Sequence, residues 1–174
     1  MKKGVYWALS VMMFLQYAIW GSWFSYLSEY LTQLGFSGRM MAVIYNLLPL
    51  GILLAPVTGG QLADRYVPTN RIMIVAGFIG ALLLWLMSGS PLIVQSWSID
   101  LQAMPVMTAF IALAILMFIY CVIYGPTLAL ANSISFENLT NPDKQFGVIR
   151  VWGTIGWIVA GLGLSAWWKW GDLT

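Results

Sequence analysis

GVYWALSVMMFLQYAIWGSWFSYLS, running from Gly4 to Ser28, carries no charged residue. It lies between Lys3 and Glu29 and exceeds the roughly 20 apolar residues with which a helix crosses a bilayer. An unpaired charge at mid-bilayer costs at least roughly 2.5–3.5 kcal/mol, so charges mark where a chain leaves the membrane. Reading outward by that rule gives five membrane helices, over 5–30, 40–63, 72–87, 105–135 and 146–170. The second lies between Arg39 and Asp64, and the third stops at the turn-forming Ser88-Gly89-Ser90-Pro91. The fourth opens on Pro105, a suitable first-turn residue. Strand-like alternation dominates nowhere, and these apolar runs are too long for barrel strands.

Composition agrees. The 174 residues hold 8 Lys+Arg and 6 Asp+Glu, so only 8% are charged where a soluble domain carries about 25%. With 60% hydrophobic residues there is more apolar surface than a chain of this length can hide in one core, and lipid must solvate the rest. The expected fold is therefore an all-α integral membrane protein, a single transmembrane domain over residues 1–174. There is no His and one Cys, Cys121, which removes His-based catalytic triads, His-ligated metal sites and any internal disulfide. An enzyme is not expected. The basic residues are scattered, which excludes a nucleic-acid footprint.

The run after Lys2 and Lys3 is too long and too rich in Trp and Tyr for a cleaved signal, so it reads as an uncleaved first helix. Lys2, Lys3, Arg65, Arg71, Lys144 and Arg150 fall on one side of the five spans, and Arg39 and Lys169 on the other. That bias places the N-terminus in the cytoplasm and leaves Trp167, Trp168 and Trp170 as an outer interfacial belt. Pro49, Pro56 and Gly125-Pro126 interrupt the spans, which suits a bundle around an internal cavity better than independent anchors.

The fifth span reads Ile149-Arg150-Val151-Trp152-Gly153-Thr154-Ile155-Gly156-Trp157. At 100° per residue, Arg150, Thr154 and Trp157 share a sector of about 60°, and Gly153, Gly156 and Ala160 occupy another about a quarter-turn away. The small face permits close approach of another helix. The other face lines up a guanidinium, a hydroxyl and an indole, suited to a ligand with hydroxyls or a carboxylate at one end and a flat ring at the other. Arg150 reads equally as a headgroup anchor. In the first span Gln16, Trp20 and Trp23 share a face, which serves either as cavity lining or as a packed contact with Gln16 bonded across it. Asn46, Tyr45 and Asn132 are weaker candidates, Asn132 for capping or bridging helices. No acidic residue sits clearly at mid-bilayer. Glu137, at the inner end of the fourth span, is within range of Arg150 but reads more naturally as a solvated loop carboxylate.

The connection after the second span reads Gly60-Gln61-Leu62-Ala63-Asp64-Arg65-Tyr66-Val67-Pro68-Thr69-Asn70-Arg71. Its Gly-x-x-x-Asp-Arg spacing with a further Arg resembles the signature loop of the major facilitator superfamily. Val67 stands where Gly is usual, and Arg71 alone represents the terminal basic cluster. Gly60, Asp64, Arg65 and Arg71 are the expected gating-loop residues, with Asp64 accepting hydrogen bonds at a helix N-terminus. Within that superfamily, Phe14 to Trp23, Pro126 to Phe136 and Ile149 to Trp157 are similar to the bacterial nucleoside:proton symporter family. The resemblance implies an N-terminal portion of a twelve-span transporter built from two six-helix halves, in a bacterial inner membrane. It implies that Arg150, Thr154 and Trp157 line a nucleoside site, with Trp157 where Phe is common. Nucleosides and protons are the implied partners. The proton gradient is the energy source, no cofactor is expected, and the coupling carboxylate belongs to the absent half. Transport then requires that half or a second chain. Lactose permease carries a similar Arg-led helix, so a sugar:proton symporter is the alternative. A non-transporting membrane protein that dimerises through its glycine faces is another.

Overall fold

The computed structural model describes residues 3–55, 68–88, 101 and 104–171. Every regular element among them is helical: α1 (Lys3–Phe24), α2 (Leu27–Gln33), α3 (Gly38–Ala55), α4 (Thr69–Met87), α5 (Val106–Asn138) and α6 (Pro142–Gly171). Three of them, α4, α5 and α6 through Trp167, are long and apolar enough to cross a membrane, and Gly38–Leu54 of α3 is a shorter apolar helix. The fold is that of an all-α membrane protein. Phe78, 76% exposed, and Trp167, 78% exposed, show how apolar its outer surface is. The side chains of Trp168 and Trp170 lie outside the described residues, as do Gly60, Asp64 and Arg65.

The 5–30 segment is not one helix. It is α1, a turn at Ser25-Tyr26, and the start of α2. The hydroxyls of Ser22 and Ser25 turn back to the carbonyls of Ile19 and Gly21, at 2.8 and 3.0 Å. Such local bonds offer the backbone an alternative to continued helix. The seven residues of α2 extend only about 10 Å, too short to cross. It ends on Gly35 at φ 75°, with the amides of Phe36 and Gly35 donating to the carbonyls of Leu31 and Thr32. Glycine tolerates this left-handed turn, and the buried pair Leu31 and Phe36 closes it as the hydrophobic contact of a Schellman cap. α6 begins on Pro142 with Asp143 in its first turn, as the dipole favours, while the Gln145 side chain accepts from the Asn141 amide at 3.2 Å.

The chain divides into two compact units, residues 1–28 with 131–174, and residues 29–130. In the first unit α1 packs along α6. Successive meetings of Tyr6 with Trp152, Phe14 with Gly156, Gly21 with Trp157 and Ser25 with Gly161 show that the two run parallel. The end of α5 folds back onto the start of α6 through stacked Phe136 and Phe146, their ring centroids 4.3 Å apart.

In the second unit Phe36, just before α3, meets Phe110 near the start of α5, with centroids 5.7 Å apart. Further along both helices, Gly51 lies against Cys121 and Gly125. Thus α3 and α5 also run parallel. α4 runs the other way: its last carbonyl, Met87, accepts from the Tyr30 hydroxyl at 2.6 Å, while Gly80, earlier in α4, faces Tyr120. Cys121 is fully buried within this unit.

Candidate functional site

One small residue on each helix, Gly156 of α6 and Gly21 of α1, brings α6 onto α1. A methyl group at Gly156 would run into the carbonyl of Phe14, and one at Gly21 would lie 2.5 Å from the Trp157 carbonyl oxygen and 2.9 Å from its Cα. Backbone therefore rides on backbone, the close approach that small residues permit between membrane helices. Ile149, Gly153 and Gly156, spaced four and three apart, are buried.

Arg150 projects onto α1. Its guanidinium carbon sits over the Tyr17 ring, 4.0 Å from the centroid. Gly153, one turn further along, leaves room for this pair: a Cβ there would lie 2.8 Å from Tyr17 Cδ2 and 2.9 Å from an Arg150 terminal nitrogen. Such a cation–π contact contributes about 0.5–2 kcal/mol, more as water is excluded. Among the described residues Arg150 has no carboxylate partner. Glu137 is exposed and its carboxylate accepts instead from the Ser133 hydroxyl, at 3.4 Å.

Tyr17 also begins a run of aromatic rings along α1. Tyr17 and Trp20 have centroids 6.0 Å apart, Trp20 and Phe24 5.8 Å, and Trp23 and Phe24 5.7 Å. The Trp20 indole nitrogen is buried and has no hydrogen-bond partner among the described residues, as is true of Ser10 Oγ and Asn132 Oδ1. Buried polar atoms of this kind are normally satisfied by protein or by water. Gln16 is buried and engaged within the protein. Thr154 is exposed, and Trp157 is 37% exposed with its backbone clasped by Gly21. Below these, the Trp152 indole donates to the Tyr6 hydroxyl at 3.1 Å and its ring leans on Trp7, 5.8 Å away.

The structure thus brings Arg150 and Trp157 against α1 and sets Trp20 on the same helix as the ring that Arg150 covers. It does not bring Thr154 to a partner. The residue that sequence reasoning passed over is Tyr17. The available signal was its spacing, since Tyr17, Trp20 and Phe24 repeat at three and four along one helix face. Of the expected gating loop, only Arg71 is described; it is exposed in the first turn of α4, its amide bonded to the Pro68 carbonyl at 2.9 Å.

Parallel helices in close backbone contact and an apolar exterior are the features of a multi-pass membrane protein. The chain belongs to the nucleoside H+ symporter family, whose model matches residues 3–170. It is similar to the putative nucleoside transporter YegT of Escherichia coli (strain K12), 34% identical over 154 residues, covering 88% of this chain and 32% of that protein. Nucleoside permease NupG of the same organism is 29% identical over 157 residues, covering 87% of this chain and 34% of that protein. Its xanthosine permease is 31% identical over 158 residues, with the same coverage of 87% and 34%. The chain spans about a third of the length of the curated relatives it matches. No solved structure matches it.

Proposed function

We propose that this chain is the first part of a proton-coupled nucleoside importer and that Arg150, Thr154 and Trp157 form one wall of its nucleoside site. The observation that carries the reading is the direction of Arg150. A headgroup anchor extends to reach water and phosphate, whereas this guanidinium lies over a ring of the neighbouring helix. An intramembrane cation facing another helix, without a counter-carboxylate among the described residues, marks a substrate pathway more often than a structural anchor. Arg150 and Thr154 bond ribose hydroxyls, and Trp157 stacks on the base. Trp20, with its unpartnered indole N–H, and Gln16 extend the wall along α1. The names of the relatives, two of them nucleoside transporters and one a xanthosine permease, support the substrate class.

The same reading carries a topology of five crossings. Consecutive membrane spans alternate in direction, so two parallel spans need an odd number of crossings between them. An odd number of spans between the parallel helices α1 and α6 is what five crossings supply. The N-terminus is cytoplasmic by the Lys and Arg bias. Alternating access moves one repeat against another around a central site, so transport requires the remainder of a full-length transporter or a second chain. The proton gradient drives it, with no bound cofactor, and Asp64 steadies the cytoplasm-closed state.

The test is uridine uptake, corrected for the amount at the cell surface, in a full-length transporter carrying this segment. Arg150→Lys keeps the charge but loses the planar fork, so it inserts normally and transports poorly. Wild-type uptake by both Arg150→Lys and Trp157→Ala would reject the binding wall.

A further inference from the structure

The geometry points to Tyr17 as the positioning residue of the nucleoside site: its ring holds the Arg150 guanidinium in place while leaving the N–H donors free for a neutral, oxygen-rich ligand. The inference rests on the reading of Arg150 as a ligand-facing group. An arginine lining a membrane cavity needs something to fix it, because its long side chain otherwise samples many rotamers and each must be abandoned on binding. The usual solution is a carboxylate. A carboxylate, however, takes two guanidinium donors in a bidentate pair, and a ligand that offers only hydroxyl and carbonyl oxygens would have to displace it. An aromatic ring fixes the cation through its quadrupole and contributes no acceptor oxygen.

Three observations place Tyr17 in that role. Arg150 lies 4.0 Å above its ring. Tyr17 is buried at 6% exposure, so the ring is itself fixed and the contact is shielded from water. Gly153 is the third: any side chain there would wedge between the ring and the guanidinium, since its Cβ would stand within 3 Å of both. The glycine of the small face thus serves helix approach and keeps the seat of Arg150 clear. The phenol oxygen plays no part in the seat, so phenylalanine is an adequate substitute and an aliphatic residue is not.

The test reads Arg150 directly. The chain in proteoliposomes is treated with phenylglyoxal, which modifies guanidinium groups, and the rate at each arginine is followed by peptide mass spectrometry. Tyr17→Leu should speed modification of Arg150 by about 2- to 30-fold, the population shift expected on losing a cation–π contact, while Tyr17→Phe stays near wild type. Gly153→Ala should speed Arg150 as well. Arg39 and Arg71, both exposed, are internal references. If Tyr17→Leu raises all three rates together, the variant has misfolded, and Gly153→Ala decides: a rise at Arg150 alone supports the seat. An unchanged Arg150 rate in Gly153→Ala and Tyr17→Leu overturns it. In a full-length transporter, Tyr17→Leu should raise the KM for uridine with little change in maximal rate, and Tyr17→Phe should restore it; a wild-type KM in Tyr17→Leu overturns the positioning role. Failure of the nucleoside reading looks different, because uptake would then be indifferent to Arg150→Lys and Trp157→Ala while the phenylglyoxal pattern persists.

Discussion

Two parallel helix pairs in this molecule use the same contact to different ends. α1 and α6 approach through Gly156 and Gly21, and α3 and α5 through Gly51 and Gly125, each glycine lying against partner backbone. Gly51 meets Cys121, and Gly125 meets Gly51 and Ile52, all uncharged, while the residues just before Cys121 and Gly125, Tyr120 and Tyr124, form a stacked pair with centroids 5.2 Å apart at 11°. Around Gly153 the neighbours are the Arg150 cation and the Tyr17 ring. Lipid tails are as apolar as the helices, so close van der Waals contact is what brings either pair together. The difference is that one pair spends its close contact purely on packing, whereas the other also encloses a charged group that packing alone does not require.

The largest effects should come from closing the backbone contacts. A methyl group at Gly156 meets the Phe14 carbonyl and one at Gly51 meets the Cys121 carbonyl, and neither obstacle can swing aside. Gly156→Ala and Gly51→Ala should each cost about 1–3 kcal/mol or more, read as a lowered unfolding midpoint in detergent. Gly125→Ala belongs with them, since its Cβ would stand 2.9 Å from the carbonyl carbon of Gly51. Gly153→Ala should break the parallel between the pairs, because its obstacles are side chains, the Tyr17 ring and the end of Arg150, rather than backbone. It should lower the midpoint by less than Gly125→Ala does, since the Arg150 end can swing aside and backbone cannot. A loss matching that of Gly125→Ala would show that the two pairs are alike after all.

Next in size is the effect on ligand binding, which only the α1–α6 pair should show. Stacking of an aromatic ring on a base is worth about 1–3 kcal/mol, so Trp157→Ala should weaken nucleoside binding by roughly 5- to 150-fold and Trp157→Phe should retain most of it. Substituting Tyr124 to Leu, in the other pair, should alter the unfolding midpoint and leave uridine binding unchanged. Equal binding losses from the two substitutions would make the effect one of general folding.

Much of this contrast is legible in the sequence. Charge spacing places the long helices because charge and hydrocarbon exclude each other over a fixed thickness, and α4, α5 and α6 lie where the third, fourth and fifth apolar runs do. The 3.6-residue period separates the glycine face of α6 from its Arg150–Trp157 face before any partner is known. What period and charge do not encode is which helix receives a face. That depends on the three-dimensional order of the bundle, so Phe14, Tyr17 and Gly21 emerge as the receiving residues only in the structure. The turn at Ser25-Tyr26 was hidden for another reason: hydropathy is uniform through it, and the interruption is made by serine hydroxyls bonding to the backbone.

The smallest expected effects come from single hydrogen bonds that close an end of each pair's unit. Tyr6 accepts from the Trp152 indole, and Tyr30 donates to the Met87 carbonyl. Side-chain hydrogen bonds within membrane proteins contribute about 0.6 kcal/mol on average. The two should still differ. Met87 is the buried last residue of α4, and Tyr30→Phe would release a carbonyl, an acceptor that is left under-satisfied more readily than an N–H. Trp152 is half-buried and leans on Trp7, and its N–H would be left without an acceptor in Tyr6→Phe. Losing one partner of a buried donor costs more than losing both, because the remaining group keeps its desolvation penalty. Tyr6→Phe should therefore lower the unfolding midpoint more than Tyr30→Phe, and Tyr6→Phe combined with Trp152→Phe should be less harmful than Tyr6→Phe alone. A double substitution as damaging as the sum of its singles would mean that Trp152 and Tyr6 contribute independently, and that the end of the α1–α6 pair is held by its rings rather than by this bond.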